Sequence, residues 1–237
     1  APAYQWLADS IDVYEPDFTM QTLALQAFEK DEQGELKQFT LSLLRQADIN
    51  IDEIKVDIVP LSNQAKELVF TDSAGNPVPQ GQVKAVRIHA GHHVQSESGK
   101  EAQFFLDLNE ESLGTKQLFW FSPILKEVFG KGKTMVIDEL DRSLHPFLVQ
   151  FLVELFHTPE INQTNAQLIF TTHDTTLLSL DTFRRDQIYF VEKDHHTAAT
   201  ELYPLDEFSV RKNENIEKGY LLGRYGAIPY LRPEGGL

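Results

Sequence analysis

The sequence predicts an α/β protein with three parts: N-terminal helices, an antiparallel β subdomain, and a lobe built on parallel strands. Three observations carry that reading. Apolar residues recur at helical spacing through residues 1–48. From Ile51 to about Leu108 the pattern changes to short alternating runs parted by turn residues. After Glu111, short apolar strands alternate with amphipathic helices, and such alternation implies a parallel, buried sheet. The implied boundaries are a helical segment 1–48, an antiparallel β subdomain 49–110 and an α/β lobe 111–237.

In residues 1–48 the helical spacing is carried by Ala24, Leu25, Phe28, Leu36, Phe39, Leu43 and Leu44, with a break near Gly34. In the second part, Ile54–Val59, Lys66–Phe70, Val83–Ile88 and Ala102–Leu108 alternate apolar and polar residues. Gly75-Asn-Pro-Val-Pro and Gly91-His-His read as turns between them, which predicts a meander. In the third part, Thr115–Phe129 reads as a helix that Pro123 should kink or divide. Thr134–Ile137 is a short apolar strand. Pro146–Phe156 is an amphipathic helix with proline in its first turn. Gln167–Phe170 and Gln187–Val191 are further strands, with a short helix near Thr175–Leu180.

The 237 residues, 41% of them hydrophobic, suffice for one large domain or two small ones. A formal net charge of −15 repels a phosphate backbone, so this segment alone is a poor nonspecific nucleic-acid binder. A basic patch on another segment or partner would change that for a larger assembly. No apolar run is long enough to span a membrane, and the N-terminus lacks the pattern of a signal peptide. The absence of cysteine suits a cytoplasmic protein.

Four features carry chemistry, in order along the chain. Glu111-Ser-Leu-Gly-Thr-Lys-Gln117 closes a strand and opens a helix, where Ser112, Gly114 and backbone N–H groups can face a phosphate. Taken alone, the same residues read as an ordinary serine cap with a glycine nearby. Met135-Val-Ile-Asp138-Glu139 ends an apolar strand in two carboxylates. That placement suits Asp138 to hold Mg²⁺ through its water shell and Glu139 to orient or deprotonate a water. The plainer alternative is an exposed acidic loop. Asp141-Arg-Ser-Leu-His-Pro146 follows at once, or is simply a capped turn. Leu168-Ile-Phe-Thr-Thr-His173-Asp174 ends a second strand in a histidine. With both strands parallel, His173 and Glu139 are expected at one carboxyl-end crevice.

Together these features resemble the ABC-ATPase superfamily, in particular heads of the SMC and RecF type. They are most similar to bacterial AAA-type ATP-binding proteins of restriction-linked and abortive-infection systems. There a Glu-Ser-x-Gly-Thr signature, an Asp-Glu Walker B, a Leu-His-Pro loop and a Thr-His-Asp switch occur in this order. Gly223-Arg-Tyr-Gly-Ala-Ile-Pro229 matches a terminal motif of the same proteins. The resemblance spans about residues 100–230 and implies a P-loop NTPase-like head using ATP and Mg²⁺. It implies that Asp138 serves the metal, Glu139 is the catalytic carboxylate and His173 senses the γ-phosphate. Ser112, Gly114 and Thr115 would contact ATP held by the other head of a homodimer, and Asp141 to Leu144, with Ser143, would form the D-loop.

One departure qualifies the likeness. No Gly-x-x-x-x-Gly-Lys-(Ser/Thr) occurs, and in Gly132-Lys133-Thr134 the earlier glycine position is Glu127. The P-loop lobe is therefore expected before Ala1 or on a separate chain, and residues 1–48 as the end of an inserted helical region. This segment alone is expected to be inactive. Histidines 89, 92, 93, 195 and 196 read as solvated hairpin residues rather than metal ligands, and Arg184-Arg185 as a loop before a strand. The resemblance further implies an anti-phage effector as output. The rivals are a DNA-repair ATPase acting on DNA and a non-catalytic interaction lobe.

Overall fold

The computed structural model describes residues 2–14, 18–60, 84–95, 101–194, 197–211 and 214–229. The chain divides into two compact units, residues 1–172 and 173–237. In the first unit the elements are α1 (Pro2–Ser10), β1 (Ile11–Tyr14), α2 (Phe18–Glu29), α3 (Glu35–Gln46), β2 (Glu53–Pro60), β3 (Lys84–Gln95), β4 (Glu101–Asp107), α4 (Leu113–Lys131), β5 (Thr134–Ile137), α5 (Pro146–His157) and β6 (Gln167–Phe170).

Strands β1, β5 and β6 form a parallel sheet in that order, with Val13 beside Val136 and Val136 beside Ile169. The α/β class is as the sequence predicts, but two details differ. Residues 1–48 are not wholly helical, because Ile11–Tyr14 is a strand of the parallel sheet. Four residues are too few for alternation to stand out, and their pairing partner lies over a hundred residues away. Nor is the sheet buried on both faces. Met135 and Ile137 are 1% exposed on one face, whereas Val13 and Ile169 are 73% and 57% exposed on the other.

Strands β2, β3 and β4 form the antiparallel sheet, Val56 facing Ile88 and Ala90 facing Leu106. The expected strand Lys66–Phe70 and the turn at Gly75 lie outside the described residues. Gly91-His92-His93 is not a turn: β3 runs straight through it. Glycine is required there for packing, since a Cβ at Gly91 would come within 2.7 Å of the Phe105 ring.

Helix α4 is the centre of the first unit, with Leu118, Phe119, Phe121 and Val128 fully buried. A helix that is apolar on nearly all sides belongs inside. Helix α2 stacks Phe28 on Phe119 at 4.7 Å, and Thr40 of α3 meets Ser122 hydroxyl to hydroxyl at 2.7 Å. Pro123 does not divide α4. Proline removes the N–H that would reach the Phe119 carbonyl, and the Ser122 hydroxyl donates to that carbonyl at 2.7 Å instead. Gly132 ends the helix in the left-handed region (φ 65°), where a Cβ would clash with the Thr164 carbonyl at 2.7 Å.

The second unit holds β7 (Tyr189–Lys193), β8 (Thr200–Pro204) and α6 (Ile216–Leu221). The strand expected at Gln187–Val191 thus begins two residues later, and it is not parallel: β7 and β8 form an antiparallel hairpin. Asp194 dictates that reversal, its carboxylate accepting the Thr197 N–H and hydroxyl at 2.6 and 2.8 Å. The core joins Ile188, Phe190, Leu205, Val210, Ile216 and Tyr225. Phe190 stacks on Tyr220 and Tyr225 at 5.5 and 5.6 Å. The Gly223–Pro229 motif is therefore architectural: Tyr225 is in the core, and Gly226 turns the chain in the left-handed region where a Cβ would strike the Tyr203 hydroxyl.

Candidate active site

Strand β5 delivers Asp138 and Glu139 at its carboxyl end. Asp138 is exposed and continues the ladder, its N–H reaching the Tyr14 carbonyl at 3.3 Å. Glu139 breaks it, with φ at 51°. That region costs a residue with a Cβ about 1–2 kcal/mol, so the surrounding contacts must hold it. Thr171, the first residue beyond β6, does so. Its hydroxyl donates to Asp138 Oδ1 at 2.5 Å and accepts the Glu139 N–H at 2.8 Å. Its backbone brackets the same corner, with N–H to the Ile137 carbonyl at 3.1 Å and carbonyl to the Leu140 N–H at 3.0 Å. One side chain orients the first carboxylate and the backbone of the second.

The loop that follows is a pair of turns. Arg142 N–H reaches the Glu139 carbonyl at 2.9 Å and Leu144 N–H reaches the Asp141 carbonyl at 3.1 Å. Leu140 anchors it, 1% exposed, and Ser143 sits at φ 63°. His145 caps α5, its Nδ1 accepting the Phe147 N–H at 3.3 Å.

Ser112 is the N-cap of α4, its hydroxyl accepting the Thr115 N–H at 3.1 Å and meeting the Thr115 hydroxyl at 2.8 Å. Gly114 lies against the loop after β5: a Cβ there would be 3.7 Å from the Ser143 carbonyl and 3.6 Å from Leu148. Ser112, Gly114 and Ser143 are thus close together, with Thr115 buried beneath the Ser112 cap and exposed apolar side chains nearby in the chain at Leu113 (67%) and Phe147 (76%). His173 is exposed at the start of the second unit, two residues after Thr171 in the chain.

Gly132-Lys133-Thr134 does not form a phosphate loop. It leads from a helix into a strand, whereas phosphate loops lead from a strand into a helix. Lys133 is also committed, with Nζ 2.8 Å from Asp12 and 2.9 Å from Glu127. The hydrogen bond to Asp12, then that to Glu127, raises its pKa above the ordinary value.

Residues 5–179 match the family described as "AAA domain, putative AbiEii toxin, Type IV TA system". The chain belongs to this family. The match covers well over half of the 237 residues, taking in β1 and ending before the Gly223–Pro229 motif. No curated protein sequence matches the chain.

As an AAA-type ATPase family, it has ATP binding and hydrolysis as its character, normally with Mg²⁺. The donors fit such an ion. Among the described residues no three His, Cys, Asp or Glu side chains converge as a metal cage. A strand-end aspartate with a hydroxyl beside it suits Mg²⁺, which keeps waters and takes one or two carboxylates plus phosphate oxygens. No helix among the described residues is long and apolar enough to cross a membrane.

Two features of the site are not readable from residue order. Thr171 was visible only as part of Thr-Thr-His-Asp, and its hydroxyl role depends on the β5–β6 register. The β3 histidines are not merely solvated: His89 pairs with Asp57 at 3.3 Å, His92 with Glu111 at 2.6 Å and His93 with Asp52 at 2.9 Å. His195 and His196 lie outside the described residues.

Proposed function

We propose that this chain supplies the hydrolytic half of an ATPase head, with Asp138 and Glu139 as its Walker B carboxylates. The observation that carries the proposal is the strand-end pair, one acid oriented and the other's backbone held in the left-handed region by the single hydroxyl of Thr171. Bound Mg²⁺, held through Asp138, would neutralise charge on the phosphates. Glu139 orients the attacking water and takes its proton. His173, close along the chain, senses the γ-phosphate. The phosphate-wrapping loop comes from a P-loop lobe not in this chain, since the sequence holds no such motif.

Ser112, Gly114 and Thr115, with Asp141 and Ser143 of the neighbouring loop, act on ATP bound by a second head. The closeness of Gly114 to the Ser143 carbonyl, which an added Cβ would just touch, supports one composite surface, and exposed Leu113 and Phe147 supply apolar area for a head-to-head dimer. The family's description supports an output through a toxin–antitoxin type of partner, here an anti-phage effector gated by ATP. The lack of cysteine supports a cytoplasmic setting.

ATP hydrolysis by the complete protein, P-loop lobe included, tests the proposal. Glu139→Gln is expected to keep ATP binding and lower turnover by at least ~10²-fold. Unchanged turnover in Glu139→Gln would remove Glu139 from the chemistry and the proposal with it.

A further inference from the structure

Beyond the chain itself, which runs from β4 through residues 108–111 to Ser112, a side-chain pair ties the antiparallel sheet to the start of α4. His92 Nε2 lies 2.6 Å from Glu111 Oε1, and Glu111 immediately precedes the α4 cap Ser112. The pair is the most sheltered of the three on β3, with side chains 18% and 11% exposed, against 54% and 31% for His93 and Asp52. The imidazole is itself held, stacked at 5.1 Å on Phe104, its cross-strand neighbour. Gly91, the preceding residue, admits the Phe105 ring where any side chain would obstruct it. On its other side the first turn of α4 is tied back by Lys116, whose Nζ donates to the Asn109 carbonyl at 3.0 Å.

We propose that His92 is a positioning residue, which through Glu111 fixes where Ser112 and Gly114 stand and so couples the antiparallel sheet to the signature surface. A short, charge-assisted hydrogen bond sheltered from water resists displacement far better than an exposed pair. Its anchor is a strand interior and its load is a helix start, so a shift of β3 is passed to the residues that face the second head's ATP. Ser112 needs such an anchor because its own hydroxyl is engaged within α4, by Thr115. This inference rests on the ATPase reading only for its consequence in turnover; the mechanical link stands on geometry alone.

The test uses the complete protein with His92→Ala, His92→Gln, Glu111→Ala and His93→Ala. Amide hydrogen exchange is read at residues 112–116, with β5 as internal reference. His92→Ala and Glu111→Ala are expected to speed exchange at 112–116 about tenfold while β5 stays protected. His92→Gln, which keeps a donor, restores protection, and His93→Ala leaves it unchanged. In ATP hydrolysis His92→Ala is expected to lower kcat with KM unchanged, and His92→Gln to recover it. Equal effects of His92→Ala and His93→Ala, or unchanged exchange at 112–116 in both His92→Ala and Glu111→Ala, overturn the proposal. If His92→Ala exposes β5 as well, Glu111→Ala decides alone. A wild-type protein that hydrolyses no ATP sinks the ATPase reading, while exchange still decides the link.

Discussion

The Thr171 hydroxyl bridges two consecutive acidic residues, donating to the Asp138 carboxylate at 2.5 Å and accepting the Glu139 N–H at 2.8 Å. A residue at the end of one parallel strand thereby sets the geometry at the end of its neighbour. Thr171→Val keeps the shape and removes the hydroxyl. It is expected to cost about 1 kcal/mol in urea unfolding, because the site is exposed and water replaces part of the loss. ATP turnover is expected to fall ~10–100-fold from misplaced carboxylates. Thr171→Ser should retain most of both. A Val variant with wild-type turnover would show that the bridge is incidental.

Ser143 occupies the left-handed region, φ 63°, without being glycine. Ser143→Gly relieves the Cβ strain and is expected to raise stability by about 1 kcal/mol. On the proposed dimer surface the same change should lower turnover, because the loop loses its set conformation and its hydroxyl. Thermal melting and hydrolysis measured on one preparation check both signs.

Pro123 and Ser122 form a compensating pair within α4. Ser122→Ala strands the buried Phe119 carbonyl and is expected to cost about 1–3 kcal/mol. Adding Pro123→Ala returns an N–H that can reach that carbonyl, so the double variant should recover much of the loss. Additive losses in the double-mutant cycle would contradict the pairing.

The Asp12–Lys133–Glu127 cluster beside Tyr14 gives the fold a defined pH dependence. Burial first, then the charges of Asp12 and Glu127, pushes the Tyr14 hydroxyl above its ordinary 10.0, and Asp12 holds Lys133 above 10.5. Raised folded values mean that both contributions are complete below the ordinary values and are lost as pH climbs through the folded ones. Stability should therefore decline above about pH 10, and Tyr14→Phe should flatten the Tyr14 share. Hydrogen bonds from Lys131 and then Lys133 lower Glu127 below 4.5. Its contribution is present above that value and fades as pH falls through the lowered one, a loss that Glu127→Gln should remove. Denaturant midpoints from pH 3 to 11 resolve the two limbs.

Much of this architecture is legible in the residues, and the exceptions have physical causes. Strand β5 and helix α5 are legible because an apolar run ending in acids and a proline-led amphipathic stretch are local signals. The two strands of the β7–β8 hairpin are each one residue longer than β5, yet their antiparallel pairing depends on the turn at Asp194. Strand β1 escaped because it is four residues whose partner is distant. Gly91 read as a turn because glycine serves both turns and close packing, and only the Phe105 ring distinguishes them. Within the candidate site, Asp138 and Glu139 are readable from type and spacing. The Thr171 bridge and the His92–Glu111 pair depend on register and cross-sheet contact, which sequence order does not carry.

The most direct measurement is Mg²⁺-dependent ATP binding and hydrolysis by the complete protein, wild type against Glu139→Gln, with assembly state followed by light scattering. Glu139→Gln is expected to bind ATP, turn over at least ~10²-fold more slowly and accumulate as an ATP-bound dimer. A Glu139→Gln protein that hydrolyses ATP at the wild-type rate, or remains monomeric with ATP bound, would contradict this expectation.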